Sequence, residues 1–200
     1  MEQQQLPVDI ETDINKLPVG YRFCPPGRDL ILNYLIHKIL NRPLPSNAVK
    51  DIHLYDFDPD QLPISEFSGY CKPNLAYFFT QVVQGRRTTK SGGHWKASGS
   101  DEPVWSKDDK IVGFKKSFVF YTGEEKSNWI MHEYRVNPGL ILADESNKIL
   151  KSKIDDSYVI CKIQYKDLSK KKRKIQFNED LLKNVPRTPC TNNVAEFEAC

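Results

Sequence analysis

The chain has 200 residues, 39% of them hydrophobic and 11% aromatic, and carries a net charge of +3. That size suits one domain with tails better than two full domains, and the apolar content allows a real core. No apolar run approaches membrane-spanning length, and the opening Met1-Glu2-Gln3-Gln4-Gln5 lacks the basic and apolar regions of a secretory signal.

Cys24, Cys71, Cys161, Cys190 and Cys200 are odd in number, widely spaced and form no CxxC pair. This argues against a disulfide framework or a standard zinc module, and for reduced thiols inside a cell. The positive charge is unevenly spread. It gathers around residues 86–96, at Lys115-Lys116 and in the run 166–174. Local clusters of this kind matter more for nucleic-acid binding than the total.

Residues 1–15 are polar, acidic and without periodicity, which predicts a loose arm. Residues 17–23 then supply an extended or turning segment with apolar side chains to dock. Residues 28–40 predict the clearest helix, because Leu30, Ile31, Tyr34, Leu35 and Ile39 recur on one face. Pro26 is tolerated at its start, and Asn41 and Pro43 stop it. A second short helix is expected over 47–52, followed by a turn with buried aromatics over 54–59.

From Leu75 the pattern changes to strands. Residues 75–79 are short, apolar and aromatic. Residues 112–121 alternate in part, with Phe114, Lys116, Phe118 and Phe120 opposite Lys115, Ser117, Val119 and Tyr121. Residues 128–136 alternate as well, and 158–165 form a further strand. The tight link Gly123-Glu124-Glu125-Lys126 predicts an antiparallel hairpin, and 137–154 reads as a long loop. The implied fold class is α+β: a twisted antiparallel sheet packed between a few helices, with a disordered C-terminal tail. The domain reading is an arm at 1–15, a domain at 16–166 and a basic tail at 167–200.

The stretch Ser91-Gly92-Gly93-His94-Trp95-Lys96-Ala97-Ser98-Gly99-Ser100-Asp101 organises the functional reading. Trp95-Lys96-Ala97 is too short a strand to build a core, so it is suited to presenting side chains. A bent, basic β-edge flanked by glycine can enter the major groove of DNA. On residue chemistry alone a plain hairpin strand, with Trp95 in the core and Lys96 solvated, is the simpler alternative.

Other constellations carry less. His132-Glu133 lacks the second histidine of a zincin helix, since position 136 is Val136 on an expected strand. Cys71 and Cys161 have no histidine placed by a motif and read as core thiols. Asp56, Asp58 and Asp60 resemble a calcium loop superficially, but Pro59 interrupts it. Lys170-Lys171-Lys172-Arg173-Lys174 fits a nuclear import signal, a nucleic-acid patch or a solubilising tail. No cofactor, metal, catalytic residue or small-molecule substrate is implied.

Six blocks in order, over about residues 16–166, resemble the plant NAC domain. Leu17-Pro18-Val19-Gly20-Tyr21-Arg22-Phe23-Cys24-Pro25 resembles the family's L-P-P-G-F-R-F-x-P. Residues 51–59 resemble I-D-L-Y-x-F-D-P. His94-Trp95-Lys96-Ala97-Ser98-Gly99-Ser100-Asp101 resembles Y-W-K-A-T-G-x-D. Residues 112–121 resemble V-G-x-K-K-x-L-V-F-Y, and 156–163 resemble D-D-W-V-L-C-R-I. Trp129-Ile130-Met131-His132-Glu133-Tyr134-Arg135 is the family's W-x-M-H-E-Y-R almost unchanged.

The resemblance implies a dimeric, nuclear, sequence-specific duplex DNA-binding transcription factor with a CACG-type core site and no enzyme activity. It implies that the strand His94, Trp95, Lys96, Ala97 and Ser98 enters the major groove. It also implies that Arg22 pairs across the dimer with the acid at Asp29, beside apolar contacts near Leu17. Arg87, Lys90, Lys96, Lys115, Lys116 and Lys126 are the expected phosphate or base contacts, with Arg87 and Lys96 foremost. Only one of Lys115 and Lys116 can face the DNA, because consecutive strand residues point oppositely.

Three departures from the family pattern carry expectations. The helix start Pro25-Pro26-Gly27-Arg28-Asp29-Leu30 lacks the capping threonine. Gly92-Gly93 holds an extra glycine that sets the angle of the reading strand. Glu124 and Glu125 put acids where lysines would face phosphate. The last of these suggests a second reading: a protein that dimerises with related factors and modulates them while binding DNA weakly itself. A hydrolase built on His132-Glu133 is a distant third.

Overall fold

A computed structural model describes residues 18, 20–81, 85, 87–139 and 158–167. The chain divides between Lys166 and Asp167 into two units, and every helix and strand described here belongs to the first. The expected arm, Leu17, most of the 137–154 loop and the basic tail with Lys170, Lys171, Lys172, Arg173 and Lys174 lie outside the described residues.

One helical run, α1, forms where the apolar periodicity predicts it. It is built from Gly27–Asp29, Leu30–Leu35 and Ile36–Ile39. The middle segment is π-helical: the Ile36 N–H bonds back to the Ile31 carbonyl. Leu30, Ile31, Tyr34 and Leu35 are buried, so the wider turn still leaves one face for the core. Pro26 stands at the N-cap without a side-chain capping bond, in keeping with the missing threonine.

The strands are β1 (Lys50–Asp51), β2 (Leu75–Gln81), β3 (Arg87–Thr88), β4 (His94–Ala97), β5 (Glu102–Trp105), β6 (Ile111–Thr122), β7 (Glu125–Val136) and β8 (Tyr158–Tyr165). They form one sheet in the order β1-β2-β8-β7-β6-β4-β3, with β5 also on β6. All the pairings are antiparallel except β1 with β2, which is parallel. The sheet is therefore mixed but mainly antiparallel, with β1 as its one parallel member among the described residues.

The second helix expected at 47–52 is absent. Lys50 and Asp51 run extended beside Phe78 and Phe79, and the Ile52 N–H bonds to the Phe79 carbonyl. Pairing to a buried strand outweighs a weak local preference. Among the described residues α1 is the one sizeable helix, joined by single 3-10 turns at Leu54–Asp56 and Ile64–Phe67. Of the aromatics expected to be buried near 54–59, Phe57 is exposed.

β2 is apolar and buried from Leu75 to Phe79 because both of its faces are covered there. Tyr77 meets Phe23 on the α1 side, with ring centroids 5.0 Å apart, while Phe78 meets Phe67 on the other at 5.1 Å. On the α1 face, His132 Nδ1 of β7 lies 3.0 Å from Ser117 Oγ. Burial, followed by the charges of Lys115 and Lys162, holds the His132 pKa below its ordinary 6.5. Below that pH the unfolded chain takes up a proton that the folded chain resists, so stability falls as pH falls. Thermal melts across a pH series should show His132→Asn with a shallower decline below pH 6.5. An unchanged slope would rule His132 out as its source.

Candidate nucleic-acid interface

The turn before β4 is held from beneath. Thr89 Oγ1 and Ser91 Oγ each donate to Asp58 Oδ1 at 2.5 Å. The Thr89 N–H bonds to the Gly93 carbonyl at 2.8 Å, and the Gly92 N–H to the Thr89 carbonyl at 3.0 Å. Gly92 takes φ +93°, and a Cβ on Gly93 would overlap the Phe120 ring. The two glycines thus serve different needs: one supplies the left-handed turn, the other the close approach.

β4 alternates as a half-buried strand should. Trp95 is 4% exposed and packs edge-on against Phe120, centroids 5.1 Å apart. It lies beneath the strand, on the face away from His94 and Lys96, where the plain hairpin alternative put it. His94 is partly exposed, and Lys96, Ala97 and Ser98 are exposed. Phe120 occupies an irregularity in the β6–β7 register, its carbonyl accepting from the Ser127 hydroxyl at 2.9 Å.

The register then places His94 opposite Tyr121 and Tyr121 opposite Lys126. The His94 and Tyr121 rings stack, with centroids 5.7 Å apart and 20° between planes. Lys96 Nζ stands 5.6 Å from the centroid of the same tyrosine. His94, Lys96, Tyr121 and Lys126 therefore form one cluster on one face. Tyr121 was not among the residues expected here. Counting the register back from the Gly123-Glu124 hairpin finds it.

The remaining expected cations have acidic partners. Lys90 Nζ lies 2.8 Å from Asp56, Lys115 Nζ 2.7 Å from Glu102, and Lys116 Nζ 3.1 Å from Asp101. Arg135 also meets Asp101, at 2.5 Å. Burial works to raise the Asp101 pKa, but the bonds and charges of Lys116 and Arg135 outweigh it and hold it below the usual carboxylate range. Lys115 and Lys116 use acids from the segment just after β4 and sit on opposite faces. Lys96 and Lys126 have no acidic partner among the described residues. Glu124 and Glu125 are exposed at the hairpin beside Lys126.

Arg87 sits furthest from where a DNA contact would be expected. Its Nε and one terminal nitrogen each donate to Glu133, at 2.9 Å, and its side chain is 14% exposed against 2% for Glu133. Desolvation works to lower the guanidinium pKa, yet Glu133 beside it carries the net shift upward. The arginine expected foremost on DNA points into the molecule.

The other candidates fall into place around this. His132 and Glu133 occupy opposite faces of β7, so they share no site. Cys71 and Cys161 are buried, and burial pushes the Cys71 thiol up to about 12. Arg22 is exposed and donates to the Gly69 carbonyl at 3.3 Å, while Asp29 lies 3.4 Å from Arg28 Nε.

The No apical meristem (NAM) protein family model matches residues 18–136. NAC domain-containing protein 18 of Arabidopsis thaliana is 39% identical over 168 residues, covering 76% of this chain and 51% of its own length. NAC transcription factor 32 of the same plant is 36% identical over 195 residues, covering 91% and 72%. NAC domain-containing protein 68 of Oryza sativa subsp. japonica is 36% identical over 181 residues, covering 84% and 54%. The chain spans about half the length of several of these relatives. It belongs to the NAC (No apical meristem) family of plant proteins.

Proposed function

We propose that this protein is a nuclear transcription factor that binds duplex DNA sequence-specifically as a dimer. The observation that carries the reading is the cluster of His94, Lys96, Tyr121 and Lys126. It joins two cations without acidic partners among the described residues to two polar aromatic rings on one face of a short strand anchored from below. Lys96 reads guanine N7/O6 or holds a phosphate, and Ala97 and Ser98 extend the contact. Lys90 and Lys115 join only by exchanging their carboxylates for phosphates, while Lys116, on the opposite face of β6, stays out of the contact. Arg22 of one protomer pairs with Asp29 of its partner, an exposed contact that contributes little by itself, so apolar contacts near Leu17 carry most of the association. Lys170, Lys171, Lys172, Arg173 and Lys174 serve nuclear import. Homodimers and heterodimers with related NAC proteins are both accommodated, and no enzyme activity or cofactor is invoked. No helix of the described residues is long and apolar enough to cross a membrane.

The test is binding to a labelled duplex carrying a CACG-type site against a scrambled duplex, at several salt concentrations. The site should be preferred, and affinity should fall steeply with salt. Lys96→Ala should lose about ten-fold or more on the site. One observation favours a second reading, that of a dimerising modulator with weak DNA binding. Asp56, Asp101 and Glu102 already neutralise three of the expected cations, and Glu124 and Glu125 flank Lys126. A folded dimer that binds both duplexes equally weakly would establish that reading and end the first.

A further inference from the structure

We infer that the buried Arg87–Glu133 pair is a positioning device that sets the reading face of β4, and that Arg87 acts on DNA recognition through that strand rather than by touching DNA. The inference rests on the DNA-reading proposal above.

Arg87 pairs with Trp95 across β3 and β4, so its side chain shares the Trp95 face and lies opposite His94 and Lys96. From β3, at the end of the strand order, the guanidinium reaches past β4 and β6 to a carboxylate on β7. On the way it lies 4.6 Å from the centroid of the Phe118 ring, and Phe118 is the register partner of Ala97. Tyr55, in the 3-10 turn of the covering segment, interacts electrostatically with the same guanidinium. Arg135 Nε stands 3.6 Å from Glu133 Oε1 and completes the group.

β4 needs such a tie. It has four residues, and its outer neighbour β3 has two. Backbone pairing of that length leaves the strand pair at the weakly held end of the sheet. A bidentate charge-assisted bond adds direction as well as attraction, because the planar fork fits a carboxylate in one orientation. For Arg87 to reach a phosphate it would have to give up both of its bonds to the buried Glu133 carboxylate, leaving it only the longer contact with Arg135, and pass to the opposite face of the sheet.

Two variants of the full chain separate positioning from contact. Glu133→Gln keeps the shape and removes a negative charge. Simple electrostatics predicts tighter binding to every duplex, whereas positioning predicts about a ten-fold or greater fall in preference for the CACG-type site over the scrambled duplex. The double variant Arg87→Met with Glu133→Leu removes both charges and avoids a stranded ion, a replacement that buried pairs often tolerate. Positioning predicts reduced preference in it with the wild-type salt slope; a lost phosphate contact would make the slope of log K against log salt shallower by about one. Near-ultraviolet circular dichroism sets a temperature at which wild type and variants are fully folded, so loss of fold does not enter the ratio. Preference intact in a folded variant, or a shallower slope in the double variant, overturns the inference and leaves the DNA-reading proposal standing. Wild-type protein that prefers neither duplex overturns both.

Discussion

Replacing Gly113 with valine is expected to leave the chain without a stable fold, or with one that melts far below wild type. Gly113 lies in β6 opposite Val136, and a Cβ there would collide with the Arg135 carbonyl oxygen and with Ile31 Cδ1 of α1. The first of these is backbone and belongs to a paired strand, so it cannot swing aside as a side-chain tip would. Overpacking in cores typically costs about 1–3 kcal/mol, and this substitution belongs at or above the top of that range. It pushes apart the sheet's longest pairing and the seat of α1 together. Thermal unfolding of Gly113→Val beside Gly113→Ala measures it, with alanine hurt less than valine. A melting point near wild type for valine would show that α1 and β7 can shift at small cost.

Glu133→Ala should be the other severe change. It removes the partner of a guanidinium that is mostly out of water, and breaking a buried pair from one side costs about 3–5 kcal/mol. For a domain of this size that corresponds to a melting point lower by roughly 6–20 °C. Glu133→Gln should lose less, because the amide oxygen still accepts one of the two bonds. Arg87 retains some exposure, and water can reach part of the guanidinium after truncation. A loss below about 1 kcal/mol, in the range of exposed ion pairs, would mean that this relaxation is nearly complete.

Gly113 and Glu133 differ in how visible they are in the sequence. The glycine of Val112-Gly113 lies inside an alternating strand, where a missing side chain already signals close approach of another backbone. Which atoms approach is decided by the pairing with β7 and by the seating of α1. Glu133 gave no such sign. It read as one half of His132-Glu133, a pair that alternation itself separates to opposite faces of β7. Its actual partner lies 46 residues away, on a strand of two residues.

Residue spacing alone was enough for the elements whose patterns are local and long. The apolar stripe of α1, the alternation of β6 and β7, the tight link at Gly123-Glu124, the bounds of β8 and the ordered motif blocks of the NAC family were all legible. Each is specified by spacing within one segment, or by short strings that keep their identity. The parallel pairing of β1, the placement of β5 on β6, the π-helical middle of α1 and the partners of the basic residues emerged only in the folded chain. Lys50 and Asp51 become a strand only because β2 offers an edge, and Lys115 and Lys116 lose their free charge only because the chain turns at Ser98–Asp101 and brings Asp101 and Glu102 back beside them. Charge pairing and strand pairing depend on distance in space, which residue spacing does not report. Arg87 therefore looked in the sequence like the cations around it, and the fold alone turned it inward.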